Sequence, residues 1–528
     1  MVVVPMNAVE QTLRNLLREG FNALSQGKIR EASRCCEQAL KIKPDLPQAH
    51  FLVGLTALQG QDRQTAFQAF GSVTTLDPGH AAAWAQLARL FMHEGQVVKA
   101  DAALSQALQA NSQDPMVHDL IGSVYSLIGE YDAAGKSFSA AVERQPNHPP
   151  FLLNLANNHI YKGATAAATA LLERILAIQP NSPQAHWALS GSRKASNEDH
   201  IQTMQQLVAA PAMPARARAF YHYAIGKEYE DLQMWAPAFA AFAEGAADRR
   251  STVDYDEAAE VDMFEFLESH FSRDWLANAG AGNTDAGPIF VLGQPRSGTT
   301  LIERIITSHS QVSSAGELQQ LGLAVRRLSD YRDPKRFSTA FFAAAKNLAP
   351  RQLGDLYLDS TRKLRGQTAY FVDKLPQNYL MIPLILAALP AAKIVHLQRD
   401  PMDACFASFK QLFADAYLHS YDQAEMARHH RRYLHLMAVW RERFGERFLD
   451  ISYEATVQDL EPNARRLINF LGLDWQPACL DFHNQDRPVS TASAVQVREP
   501  AHTRSVGRWR KYAQQLAPMR AILQQQQD

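Results

Sequence analysis

The stretch PIFVLGQPRSGTTLIERII, Pro288 to Ile306, decides how the C-terminal half of this chain is read. An apolar run, a Gly/Pro-rich turn and an amphipathic run follow one another, which predicts strand, tight loop and helix. Gly293 and Gly298 keep the spacing of a phosphate-binding loop, G-x-x-x-x-G-K-[ST], but Thr299 stands where the lysine belongs. In that setting the N–H groups of Ser297, Gly298 and Thr299 would face an anion, aided by the dipole of the helix that begins there. Arg296 adds a fixed guanidinium whose fork suits phosphate-like oxygens. Without the lysine, the loop is not expected to serve a Mg²⁺-dependent nucleotide hydrolase, although YFVD, ending at Asp373, imitates the strand such enzymes use.

Upstream the chain has a different grammar. Ala32, Ala66, Ala100, Ala134 and Ala168 recur at one constant interval, and Pro44, Pro78, Pro146 and Pro180 lie on the same ladder. Gly20, Gly54 and Gly122 each precede one of those alanines by the same distance along the chain, and Gly226, Tyr229, Ala238 and Phe242 repeat the internal spacing out of phase. Small residues let antiparallel helices approach closely, and the prolines stop the second helix of each pair. The pattern resembles the tetratricopeptide repeat, whose period is about 34 residues. It implies an all-α solenoid over residues 1–250, about six repeats with one degenerate at 181–215, whose concave face could hold an extended peptide.

The segment 251–284 reads as a helix followed by the Gly/Asn-rich linker NAGAGNTDAG. From 285 to 528, short apolar runs (PIFVLG, YFVDK, KIVHLQR, RFLDISY) alternate with helical patterns, which predicts an α/β domain on a parallel sheet. Ligands of such sheets sit at the carboxyl ends of the strands.

Three motifs in chain order resemble the sulfotransferases that use 3′-phosphoadenosine 5′-phosphosulfate. PRSGTTL is similar to their 5′-phosphosulfate loop and implies nucleotide contacts from Arg296, Ser297, Gly298, Thr299 and Thr300. IVHLQRDPMDACFASF is similar to their 3′-phosphate motif and implies a contact from Arg399. The family serine falls on Ala407; Ser408 is the available substitute, turned about 100° around the helix. ISYEATVQDLEP implies that Tyr453 meets the nucleotide.

Within the family, an arginine in the loop and a glutamate twenty-one positions later resemble the protein-tyrosine sulfotransferase branch, which puts the general base at Glu317 in SSAGELQQL. The same resemblance implies that Lys374 and Ser493, with Arg296, stabilise the leaving phosphate, and that Arg508 supplies a basic residue to the nucleotide. It further implies no metal. The expected reaction is transfer of a sulfuryl group to a hydroxyl, foremost a tyrosine in a peptide or protein. The alternatives are a saccharide or small-metabolite acceptor, or a non-catalytic scaffold with a decayed transferase domain.

Composition narrows the rest. A formal net charge of −1 gives no global footprint for nucleic acid or an anionic membrane. The four cysteines, Cys35, Cys36, Cys405 and Cys479, have neither zinc nor disulfide spacing. The N-terminus lacks a signal-peptide pattern and no apolar run is long enough to span a membrane, so a cytoplasmic location is expected. His429 and His430 have no partner spacing and are expected on a surface helix. Oligomeric state is not encoded in any of these patterns.

Overall fold

A computed structural model describes residues 6–525 except 334, 486 and 490–495. The backbone contacts divide the chain into two compact units, Met1–Pro146 and Asn147–Asp528.

The first unit is built of helical hairpins, from Met6–Ser25 paired with Ile29–Ile42 to Pro115–Ile128 paired with Tyr131–Arg144. Proline opens several first helices (Pro47, Pro115), where its missing N–H costs nothing. Asp62 and Asp114 cap helix starts by accepting from the N–H groups of Thr65 and Met116. The ladder alanines are fully buried, including Ala168 of the second unit.

The small residues have a further role. A Cβ on Gly54 would lie 2.5 Å from the Phe70 ring, and one on Gly122 would lie 2.7 Å from Phe138. Each partner stands at the same position in the second helix of its hairpin. Where the small residue is Ala88 or Ala156, the equivalent partner is Leu104 or Leu172, and all four are fully buried. Glycine accepts a ring and alanine a branched aliphatic chain, so the interhelical volume stays filled.

The second unit begins with three more hairpins. The middle one, Pro183–Ser192 and Asp199–Val208, is shortened to two ten-residue helices, in the segment whose repeat pattern is degenerate. The last, Ala215–Asp231 and Trp235–Arg250, restores the rule, since a Cβ on Gly226 would lie 2.6 Å from Phe242. A helix Glu257–His270 then leads to the sheet.

Five strands follow: β1 (Pro288–Gly293), β2 (Val312–Gly316), β3 (Tyr370–Lys374), β4 (Lys393–Gln398) and β5 (Phe448–Ser452). They form one sheet in the order β2-β3-β1-β4-β5, and every neighbouring pair is parallel. β1 is buried along its whole length. Phe290 and Leu292 enter the core on one face with Phe371, Ile394 and Trp440, while Ile289 and Val291 enter the other with Val372, Val395 and Ile305. Alternation on a pleated strand thus sends an unbroken apolar run into two cores. The chain leaves β1 for β2 on one side and later returns for β4 on the other, so the loop after β1 sits where the strand order reverses. No helix among the described residues is long and apolar enough to cross a membrane.

Candidate active site

Each strand delivers one of the residues singled out from the sequence at its carboxyl end. Arg296 follows β1, Glu317 follows β2, Lys374 ends β3, Arg399 follows β4 and Tyr453 follows β5. Because the strands are parallel and in register, with Val291 beside Lys374 and Gly293 beside Leu397, these ends share one edge of the sheet.

The loop between β1 and the helix Thr299–Thr307 is shaped by two left-handed residues, Arg296 at φ 61° and Gly298 at φ 107°. Gly298 also has no room for a side chain, since a Cβ would come within 2.6 Å of the Tyr453 ring. Ser297 is buried and spends its hydroxyl on the Gln294 carbonyl (2.7 Å), which holds the turn closed. Thr299 and Thr300 are buried in the first turn of the helix.

Two guanidinium groups meet at this loop. Arg399 donates to the Arg296 carbonyl (2.6 Å) and to that of Ser505 (2.8 Å), with its guanidinium carbon 4.7 Å from the centre of the Tyr453 ring. Burial, together with the like charge of Arg399, pushes the Arg296 guanidinium down to about 10. The Arg399 Nε is buried with no hydrogen-bond partner among the described residues. Clustered, half-buried cations with an unanswered buried donor are a fit for an anionic group. The residues present therefore suit a phosphate-like anionic group.

Across β1, Lys374 is buried to 1% exposure and donates through Nζ to Glu317, whose side chain is 41% exposed. A buried ammonium with a half-open carboxylate leaves the carboxylate accessible to an incoming group. Glu303, buried behind them, accepts from Ser314 (2.6 Å), and burial raises its carboxyl. Asp373 turns away from this pair: it accepts from the Tyr357 hydroxyl (2.9 Å) and from Asn378 (3.3 Å), and burial raises its carboxyl to about 7. Tyr417 and Arg336, which sequence patterns did not single out, lie within electrostatic reach of Glu317.

Ser408 is buried and directs its hydroxyl at the Pro295 carbonyl (3.2 Å), so in this conformation it braces the loop. Arg508 is held by Glu230 of the last repeat hairpin (3.2 Å). Ser493 lies outside the described residues. On either side of it, the Val489 N–H (2.9 Å) and the Arg498 guanidinium (3.1 Å) both donate to the Tyr161 carbonyl of the helix Pro149–Lys162.

The expectation of a surface position for His429 and His430 is corrected: both are buried, on the inner face of the helix Gln423–Phe444. His429 Nδ1 lies 2.9 Å from Glu260, and its other nitrogen is 3.4 Å from the Gln294 amide, at the back of the loop. Their i, i+1 spacing concealed this, because both neighbours are buried only when the helix is covered on a broad face. Glu260, His419 and His429 are close enough to share a cation. Their geometry does not suit one. The two rings stack face to face, 3.4 Å between centres at 12°, which points their lone pairs side by side, and Arg432 already donates to Glu260.

Comparison with known proteins agrees with this architecture. Residues 288–477 match the model of the sulfotransferase family, and residues 57–124 and 129–191 match that of the tetratricopeptide repeat. The chain thus joins tetratricopeptide repeats to a sulfotransferase-family domain. An uncharacterized protein of Aquifex aeolicus (strain VF5) is 30% identical over 397 residues, covering 73% of this chain and 51% of that protein. A protein-tyrosine sulfotransferase of Drosophila melanogaster is 23% identical over 242 residues, covering 43% of this chain and 48% of the relative. The match thus spans about half the length of each of these two relatives. Among solved structures, a thermophilic repeat protein of Thermus thermophilus is 22% identical with a TM-score of 0.31, covering 34% of this chain and 98% of its own.

Proposed function

We propose that this protein transfers a sulfuryl group from 3′-phosphoadenosine 5′-phosphosulfate to a hydroxyl acceptor, foremost a tyrosine of a peptide or protein. The observation that supports it is the convergence of Arg296, Glu317, Lys374, Arg399 and Tyr453 at the carboxyl ends of five parallel strands. Ser297, Gly298, Thr299 and Thr300 would cradle the 5′ end of the donor, and Arg399 with Tyr453 its 3′-phosphoadenosine. The donor supplies an activated sulfur whose bond to the 5′-phosphate oxygen breaks as a bond to the acceptor oxygen forms.

The residues of the chain do the rest. Glu317 accepts the acceptor's proton, and its partial exposure gives that group access. Lys374, with Arg296, then answers the charge that develops on the departing phosphate oxygen. The Glu317–Lys374 contact links the two tasks: a carboxylate that gains a proton loosens its hold on the ammonium, which becomes available to the leaving group. Ser493 belongs to the same proposal through the family resemblance.

A tyrosine acceptor is supported by the names of two distant relatives, including a putative protein-tyrosine sulfotransferase of Caenorhabditis briggsae, 23% identical over 242 residues and matched over 80% of its length. The repeats, as protein-interaction modules, are consistent with a protein acceptor or partner. The test is incubation of the purified protein with sulfur-labelled donor, without added metal, against tyrosine peptides, saccharides and small phenols. Label on the peptide and release of adenosine 3′,5′-bisphosphate are expected. Donor binding with no product from any acceptor would replace the enzyme reading with the scaffold one.

A further inference from the structure

Glu230 belongs to the repeat hairpin Ala215–Asp231/Trp235–Arg250, yet three of its side-chain partners come from beyond the sheet's first strand: Lys410 within the sulfotransferase-family match, and Arg508 and Tyr512 after it. Its carboxylate accepts from Lys410 Nζ at 2.7 and 2.9 Å, from Arg508 at 3.2 Å and from the Tyr512 hydroxyl at 2.9 Å. The site is mostly shielded from solvent, with the Glu230, Lys410 and Arg508 side chains 10%, 19% and 33% exposed. Burial would raise the Glu230 carboxyl, but Lys410 and Arg508 hold it down to about 2.

Lys410 stands where the family motif has a gap. The serine expected on the helix Pro401–Phe409 is Ala407 here, and Lys410 follows it by nearly one helical turn, on the same face. Its N–H still bonds the Phe406 carbonyl (3.1 Å), so it continues the helical turn. Arg508 is brought to the same place by Asp403 of that helix, which accepts from the Gly507 and Trp509 N–H groups on either side of it. Lys410 is also within electrostatic reach of Arg296 in the phosphate loop.

Charge counting then decides what is missing. Of the two carboxylates here, Asp403 is taken up by the Gly507 and Trp509 N–H groups, so Glu230 alone answers Lys410 and Arg508 by direct side-chain contact, and Lys410 lies within electrostatic reach of a further cation, Arg296. An ammonium has three N–H groups and Glu230 offers it two oxygens, which leaves capacity for another acceptor. A half-buried group of cations of this kind favours an anion beside it.

We propose that Lys410, with Arg508, binds the 3′-phosphate of the donor in place of the absent serine, and that Glu230 of the last repeat hairpin is their positioning residue. The repeats would then complete the donor site in addition to any role in binding a partner. Burial and the charges of Arg508 and Arg296 push the Lys410 ammonium down, whereas Glu230 opposes them.

This inference rests on the donor assignment above, and the experiment separates the two. Equilibrium affinities of the full chain are measured for adenosine 3′,5′-bisphosphate and for adenosine 5′-phosphate, which lacks the 3′ group. The unaltered protein is expected to prefer the bisphosphate. Lys410→Met should cut that preference about tenfold or more, the worth of one charge-assisted hydrogen bond, with affinity for adenosine 5′-phosphate unchanged. Glu230→Gln should cut it in the same direction, and Lys410→Arg should restore most of it. Variants that keep the preference, or lose both ligands equally while still folded by circular dichroism, would overturn the roles of Lys410 and Glu230. An unaltered protein that binds neither nucleotide would overturn the donor assignment itself.

Discussion

The hairpin around Gly54 and the hairpin around Gly226 follow one packing rule and differ at one position. In both, a glycine admits a phenylalanine ring from the second helix, within 2.5 Å and 2.6 Å of where a Cβ would be. One turn after the small residue, the first five hairpins carry Leu24, Leu58, Met92, Ser126 and Ile160, and the last carries Glu230. An apolar or small side chain there serves helix packing. A carboxylate there must find cations or suffer burial, and Glu230 finds Lys410 and Arg508. One residue changed on a retained scaffold thus ties this repeat hairpin to the segments that carry Lys410 and Arg508.

The contrast can be tested from its strongest consequence downward. Lys374→Met should lower the single-turnover rate of sulfuryl transfer by ~10²–10³ with the fold intact, measured as release of the bisphosphate. The carboxylate that Lys374 contacts directly, Glu317, is half exposed, and the buried Glu303 and Asp373 carboxyls, which also lose a nearby cation, are already raised by burial, so the fold is expected to tolerate the substitution. A rate within about tenfold of the unaltered protein would remove Lys374 from the chemistry.

Gly54→Ala and Gly226→Ala should each destabilise by ~1–3 kcal/mol through overpacking against the ring, offset by up to about 1 kcal/mol of helix propensity. Thermal melts will show whether the costs are similar. Donor affinity should fall only in Gly226→Ala, because Glu230 lies one turn further along the same helix. Equal affinities in the two variants would break the distinction between the hairpins.

The smallest effect concerns pH. Burial raises the Asp373 carboxyl to about 7, from an ordinary value of about 4. The folded state thus holds a proton that the unfolded state has released. This group's contribution to stability is complete below about pH 4 and is lost as pH rises to about 7. Asp373→Asn should flatten the melting temperature across that interval, since an amide can still accept from Tyr357. An unchanged slope would show that the Asp373 carboxylate is as easily formed in the fold as in the open chain.

The readings that succeeded from the chain alone concern local or repeated features. Five alanines at one interval located the buried seam of the hairpins, and all five are fully buried. The strand-loop-helix reading of 288–306 holds, with β1 over Pro288–Gly293 and a helix over Thr299–Thr307. Lys410 had only a weak signal, a basic residue one turn beyond a vacant motif position. Glu230 had none, because an acidic residue near the end of a repeat helix ordinarily faces water. The burial of His429 was equally hidden, as it depends on Glu260, far away along the chain.

Sequence alone determined the repeat period, the position of the tight loop between β1 and its helix, and the chain order of the residues that resemble a sulfotransferase site. These are encoded in spacing, which fixes helical phase, glycine-dependent backbone angles and caps within a short span of chain. Only the tertiary structure decided that Glu317 meets Lys374 across 57 positions and that Arg508 meets Glu230 across 278. Such pairings depend on which strand ends share an edge and which helix covers them, so no local spacing records them.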